Sequence, residues 1–98
     1  MRETSFGKMQ ALLEEAEKPV IEHLVFEKEG RPHRHNEYET FVVLKGEGLV
    51  IYGKTEVPVG PGSIVSIPPK ALHWMKPANG QVLEGFLWYH NEELRRDS

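Results

Sequence analysis

Four side chains in this sequence have the types and the spacing of a metal-binding set. His33 and His35 are two positions apart, so on an extended strand both would point to the same face. Glu39 follows closely, and a turn over residues 36–38 would place its carboxylate beside the two imidazoles. Imidazole nitrogens bind an ion such as zinc at about 2.0–2.1 Å, and a carboxylate adds a hard oxygen and negative charge. His73 is the fourth candidate ligand, and folding would have to bring it to the other three.

These residues lie in two stretches that resemble the motifs of the cupin superfamily. Residues 33–46 match the first motif, which is H-x-H, three or four residues, E, six residues and G. Gly62, Pro68 and His73 match the second motif, G-x5-P-x-G-x2-H-x3-N, at the right spacing. The resemblance covers roughly residues 20–89, and the two motifs together are specific.

Three positions depart from the family pattern. Lys70 stands where the second motif has Gly, and Pro77 stands where it has Asn. Glu27 stands where a Gly commonly opens the first motif. These positions belong to turns and strand ends, so the departures bear on local loop geometry, and none of them removes a metal ligand.

The resemblance implies a fold and a metal centre. The fold is a jelly-roll barrel of two antiparallel sheets, or double-stranded β-helix. The centre is a single divalent ion held inside the barrel by three histidines and one glutamate, here His33, His35, His73 and Glu39. Two positions of an octahedron would remain open for water, substrate or dioxygen, which distinguishes a catalytic site from a structural one.

The pattern of the chain independently favours an all-β fold. Turn signals such as Gly60-Pro61-Gly62 recur about every 8–12 residues, as is typical of a sandwich or a barrel. We predict strands over residues 20–27, 39–45, 49–52, 55–59, 63–67, 72–76 and 82–89.

A short helix is predicted before the barrel. Met9, Leu12, Leu13 and Ala16 have helical spacing over residues 8–17, and Pro19 would end the helix. The predicted organisation is therefore a helical segment at residues 1–19, the barrel at 20–90, and a polar tail at 91–98.

Composition excludes several classes of function. A chain of 98 residues fits one domain, and its net charge of −3 gives no electrostatic footprint for nucleic acid or an anionic membrane. The absence of cysteine excludes disulfides, thiolate ligands and a cysteine nucleophile. No apolar run is long enough to span a bilayer, and residues 1–7 lack the apolar core of a signal peptide, so we expect a cytoplasmic protein.

Strand alternation predicts the surroundings of the metal. Phe41 and Val43 share a face with Glu39, and Met75 shares one with His73, so these side chains should line an apolar pocket. The same positions would be filled simply to pack a small barrel. No Lys or Arg is clearly placed inside, which disfavours a phosphorylated sugar. We expect a small, partly apolar ligand that is held mainly by the ion.

The other notable polar residues are predicted to have ordinary roles. His23 and His90 lie outside both motifs and should be solvated or structural. Glu37 is predicted to be a surface charge rather than a base. Tyr38 is predicted to be a turn residue, with a hydrogen bond to the site as the alternative.

Two classes of function fit these features. The first is a metal-dependent enzyme, above all an oxygenase, because mixed nitrogen and oxygen ligands with adjacent open positions suit iron(II). Zinc, manganese, nickel or copper in the same ligands would support isomerase, cyclase or lyase chemistry. The second is a non-catalytic module that binds a small ligand.

A homodimer is the expected assembly. The core is thin, sheet edges are exposed, and about 20 residues precede the barrel, all of which favour a partner surface. Twofold symmetry is the commonest closed arrangement. Trp74 and Trp88 are predicted to be core or interface aromatics.

Overall fold

Antiparallel β-strands make up the regular structure of residues 1–91, the part of the chain that the computed structural model describes. In chain order these strands are β1 (Arg2–Glu3), β2 (Gly7–Glu15), β3 (Lys18–Phe26), β4 (Tyr38–Lys45), β5 (Gly48–Tyr52), β6 (Thr55–Val59), β7 (Ile64–Ile67), β8 (His73–Pro77) and β9 (Leu83–His90). One sheet has six strands in the order β1-β2-β3-β9-β4-β7, and the other has three in the order β6-β5-β8.

The core lies between the two sheets and follows from alternation along the strands. In β4, Phe41 and Val43 are buried, while Val42 between them is only partly covered. The same pattern in β3 buries Leu24 and Phe26. Successive side chains of a strand point to opposite faces, so each sheet contributes one apolar face to a shared interior. The predicted jelly-roll architecture is confirmed, and the seven predicted strands appear within a few residues of their expected bounds.

The predicted helix over residues 8–17 is wrong, because this segment is strand β2. It pairs antiparallel with β3, with Met9 opposite Leu24 and Gln10 opposite His23. Residues Ala16 and Glu17 form the connecting turn with φ of 50° and 66°. Two successive residues with positive φ are typical of the tight turns that join antiparallel strands.

Long-range pairing explains why the helical spacing was misleading. Ala, Leu, Glu and Lys favour helices, but that preference is weak, and tertiary context overrides it. The segment also alternates, with Met9 and Ala11 turned towards the interior and Lys8 and Gln10 exposed. Pairing with β3 satisfies the backbone of the segment and buries part of Met9.

The outer face of the large sheet carries exposed apolar side chains. Trp88 is 44 % exposed and Ile64 is 48 % exposed, so Trp88 does not belong to the core. The expected second copy of the chain would find apolar surface here.

Two other expectations concern the C-terminal tail and membrane-spanning segments. The predicted polar tail falls, from residue 92 onwards, outside the described residues. Among residues 1–91 there is no helix of the length and apolarity needed to cross a bilayer.

Candidate metal centre

The four predicted ligands converge in space. One donor atom from each of His33, His35, Glu39 and His73 lies within 4.8 Å of the others. His33 reaches the group through an isolated antiparallel bridge to His73, in which each backbone N–H donates to the other's carbonyl, at 3.1 and 2.9 Å. Glu39 lies on β4 in the large sheet and His73 begins β8 in the small one, so the cluster joins the two sheets.

Lys70 helps to hold the loop that carries His35. Its backbone N–H donates to the His35 carbonyl at 2.7 Å. Lys70 has φ of 67°, in the left-handed region that favours glycine. The position where the family motif has Gly therefore keeps the backbone conformation for which Gly is suited, at a cost of roughly 1–2 kcal/mol for a residue with a Cβ.

Each histidine ring is anchored to the backbone through Nδ1. The acceptor is the carbonyl of Arg31 for His33, of Glu37 for His35 and of Ala71 for His73, at 2.9–3.0 Å. A carbonyl can only accept, so each Nδ1 carries the proton and donates. In a neutral imidazole this leaves Nε2 with a free lone pair, which is the arrangement that orients metal-binding histidines.

The contacts around Glu39 show that a positive species belongs at the centre. Nε2 of His35 and of His73 lie 2.9 and 3.1 Å from the same carboxylate oxygen, Oε1. Lone pairs on Nε2 and on a carboxylate repel unless a proton or a cation lies between them. The second oxygen, Oε2, is buried with no hydrogen-bond partner in the described structure. Three imidazoles and a carboxylate that is only 1 % exposed therefore fit a bound metal ion.

Without metal, His35 and Glu39 shift each other's pKa in opposite directions. The hydrogen bond to Glu39 raises the pKa of His35, although burial opposes this rise. Burial by itself would raise the pKa of Glu39, but hydrogen bonds with His35 and His73 outweigh it, and the pKa is lowered. Both shifts favour the charged forms of His35 and Glu39 when no metal is bound.

We predict opposite pH dependence of stability for the metal-free and metal-loaded protein. Because the folded pKa of His35 is raised, its contribution is complete below pH 6.5 and is lost as pH rises through the folded pKa. The Glu39 contribution is lost only as pH falls below about 4.5. The melting temperature of the metal-free protein should therefore rise as pH falls from 9 to about 6.5. The loaded protein should lose stability over the same range, since protons compete with the metal.

Thermal melts with a chelator and with metal, between pH 5 and 9, measure both slopes. His35→Gln is the control, because it removes the titrating ring and should flatten the metal-free slope above pH 6.5. If the melting temperature of the metal-free protein rises with pH between 6.5 and 9, the assignment of this slope to His35 is contradicted.

A cavity of about 150 Å³ opens beside the cluster, at Glu39 and His33. Its wall is mostly apolar, and the buried or partly buried apolar and aromatic residues in it include Phe6, Met9, Leu24, Phe26, Trp74, Met75 and Leu87. Of the three residues predicted to line the pocket, Met75 does, whereas Phe41 and Val43 are buried in the core but are not part of the cavity lining. Contrary to the sequence-based expectation, a basic residue is present, because the exposed Arg31 forms part of the rim.

Two polar residues of this cavity were missed by the sequence analysis. Glu22 is 6 % exposed on β3, and the Tyr89 hydroxyl donates to its Oε1 at 2.8 Å. The Tyr89 ring lies edge-on to the His35 ring, with centroids 5.3 Å apart. Burial, and then the negative charges of Glu39 and Glu22, raise the pKa of Tyr89, so its phenol stays protonated. Glu22 shares strand parity with Leu24, which was the available signal for an inward carboxylate.

The remaining polar residues lie outside the cluster. His23 pairs with Glu84 at 2.8 Å, and Nε2 of His90 hydrogen-bonds the Thr40 hydroxyl at 2.8 Å, so both histidines are structural. Tyr38 stacks on His90 as the first residue of β4, and is not a turn residue. The side chain of Glu37 is partly exposed, and its Oε2 lies 3.7 Å from Nδ1 of His35.

Comparison with known proteins identifies the family. Residues 22–88 match the sequence pattern of the cupin domain family, so the chain belongs to the cupins. Among curated proteins, none matches the chain.

Solved structures share the fold at low sequence identity. A predicted oxalate decarboxylase from Thermotoga maritima is 18% identical with a TM-score of 0.76, over 86% of this chain and 79% of the other. A cupin-like protein from the same organism is 21% identical with a TM-score of 0.76, over 92% of this chain and 79% of the other. The polyketide cyclase RemF from Streptomyces resistomycificus is 21% identical with a TM-score of 0.64, over 80% of this chain and 63% of the other. Similarity at this level establishes the fold and not the activity.

Proposed function

We propose that this cupin is a metal-dependent enzyme, with dioxygenase-type chemistry as the first candidate. It would act on a small, partly apolar substrate that binds one divalent ion held by His33, His35, Glu39 and His73. The observation that carries the proposal is the cavity, which reaches the cluster at two of these four residues and is otherwise walled mainly by apolar side chains. A purely structural site would have no need of such a space.

The chain's own residues have definable tasks in this proposal. The apolar wall excludes water and strengthens electrostatic interactions at the site. The backbone carbonyls fix the three imidazoles so that each Nε2 faces the centre. The protonated phenol of Tyr89 donates its hydrogen bond to Glu22 inside the cavity. When bound, the metal supplies Lewis acidity or, if it is iron(II), adjacent positions for substrate and dioxygen.

Lyase or cyclase chemistry is the second candidate. Its support is the structural similarity to a predicted oxalate decarboxylase and to a polyketide cyclase. The same ligands would hold zinc, manganese, nickel or copper for that purpose, and these reactions would consume no oxygen.

Oxygen uptake tests the first candidate. Protein loaded with iron(II) under anaerobic conditions is exposed to oxygen together with candidate thiols, diols and phenols, and oxygen and substrate are followed together. We expect at least one substrate to disappear with stoichiometric oxygen uptake. His73→Ala, which lacks one ligand, should give only the background rate.

Other outcomes distinguish the alternatives. Substrate conversion without oxygen uptake would favour lyase or cyclase chemistry. A small molecule that copurifies tightly and is returned unaltered after metal loading would contradict an enzyme and favour a binding module.

A further inference from the structure

The cavity has a second acidic residue, Glu22, in its otherwise mostly apolar lining. Glu22 occupies an inward position of β3, in line with Leu24 and Phe26, and is only 6 % exposed. An inward position in a small core would ordinarily hold an apolar residue, because a buried carboxylate is costly unless it is hydrogen-bonded or paired with a positive charge.

The carboxylate of Glu22 has a hydrogen bond but no cation of its own. Tyr89 donates to Oε1 at 2.8 Å. Among the ion pairs formed by residues 1–91, none involves Glu22. The missing positive partner is what a ligand in the cavity could supply.

Tyr89 links this end of the cavity to the metal cluster. Its ring contacts that of His35, while its hydroxyl reaches Glu22. Glu22, Glu39 and Tyr89 all line the cavity, and we use the term poles for its lining at Glu39 and His33 and for its lining at Glu22. A short ligand can therefore meet the ion at one pole and Glu22 at the other.

The charges of the two poles differ. A divalent cation bound by the Glu39 carboxylate keeps one net positive charge, which attracts an anionic or oxygen-donor group. Glu22 repels a second anionic group and attracts a hydrogen-bond donor, above all an ammonium. Arg31 is the one Arg or Lys in the described lining, and it is exposed, so solvent weakens its effect.

We infer that Glu22 is a specificity-determining residue and that the cavity selects short ligands with a metal-binding group at one end and an ammonium or hydroxyl donor at the other. Short dicarboxylates such as oxalate would be disfavoured. The inference rests on the proposed metal site, because the first pole exists only when an ion is bound there.

Three probe ligands of similar size test which terminal group the cavity prefers. Propionate, β-alanine and succinate each present one carboxylate to the metal and end respectively in a methyl, an ammonium and a carboxylate. Their dissociation constants are measured on cobalt(II)-loaded protein from the change in its visible absorption. We expect β-alanine to bind at least about tenfold more tightly than succinate, with propionate between them.

Two variants assign the preference to Glu22. Glu22→Gln should reduce the difference between β-alanine and succinate to less than about threefold. Glu84→Gln is the matched control, because Glu84 is a half-buried, hydrogen-bonded glutamate on the outer face, and it should keep the wild-type preference. Cobalt content and the melting temperature establish that each variant is folded and loaded.

The failures are distinguishable. Wild-type protein that binds no cobalt at the cluster overturns both the metal site and this inference. Protein that binds cobalt but prefers succinate, or that keeps its preference for β-alanine in Glu22→Gln, overturns the inference alone. A preference for succinate that disappears in Arg31→Gln would make the rim arginine the specificity determinant.

Discussion

A His73→Ala variant is expected to bind a divalent metal at least about 100-fold more weakly than the wild-type protein. His73 is 1 % exposed, and its Nε2 lies 3.1 Å from Oε1 of Glu39 at the centre of the cluster. Removing it deletes one of four donors and leaves a hole that water fills poorly in an apolar surrounding. Competition with a chromogenic chelator measures the affinity.

A second variant separates loss of a ligand from loss of structure. Glu39→Gln keeps the size of the side chain but removes the negative charge, so it should also weaken metal binding by at least about tenfold. His23→Ala is the matched control. Like the histidines of the cluster, His23 is hydrogen-bonded to a glutamate, with its Nε2 2.8 Å from Oε2 of Glu84. Because His23 lies outside the cluster, its loss should leave the metal affinity unchanged.

Elemental analysis gives the decisive comparison. If wild-type protein purified without added metal carries no more metal than His73→Ala and Glu39→Gln, the metal site is refuted. Equal losses in His23→Ala would show that general destabilisation, rather than removal of a ligand, causes the effect.

The Gly46→Ala substitution is expected to destabilise the protein far more than Gly62→Ala. Both glycines have left-handed backbone conformations, with φ of 84° and 89°. A Cβ at Gly46 would lie 2.0 Å from the carbonyl oxygen of Val82, whereas a Cβ at Gly62 would meet no atom within 4 Å. The backbone strain is thus nearly the same in the two variants, and the difference between them isolates the steric contact.

The expected magnitudes follow from these two effects. Gly62→Ala should lower the free energy of unfolding by roughly 1–2 kcal/mol, from backbone strain alone. Gly46→Ala should lower it by about 2–3 kcal/mol more, because the backbone carbonyl of Val82 in the adjacent segment must move. Urea unfolding measures both. A Gly46→Ala chain that does not fold would be the extreme form of this result, and equal losses in the two variants would contradict it.

The strands and the cluster of His33, His35, Glu39 and His73 are predictable because their signals are local or lie in spaced motifs. Alternation predicts that Phe41 and Met75 lie inside, and the spacing of His33, His35 and Glu39 indicates the cluster without reference to strand pairing. The two motif glycines are now explained by backbone conformation and, at Gly46, by close packing.

The features that the sequence did not predict share one physical cause. Strand pairing between distant residues is not encoded in any short local segment of the sequence. The segment that forms β2 has residues that favour a helix, and only its partner β3 makes it a strand. Glu22 and Tyr89 belong to neither motif, and they meet because β3 and β9 are neighbours in the large sheet. Arg31 reaches the cavity through the loop before His33, whose course depends on the bridge to His73.

The backbone anchors of the three imidazoles have a consequence for ion exchange. Each ring is already oriented in the folded chain by a carbonyl two residues away in sequence. The rotational freedom of these rings is therefore lost when the protein folds, and not when an ion arrives. If the cluster binds a metal as proposed, an incoming ion would have to displace only protons and water, and we expect one metal to replace another while the barrel stays folded.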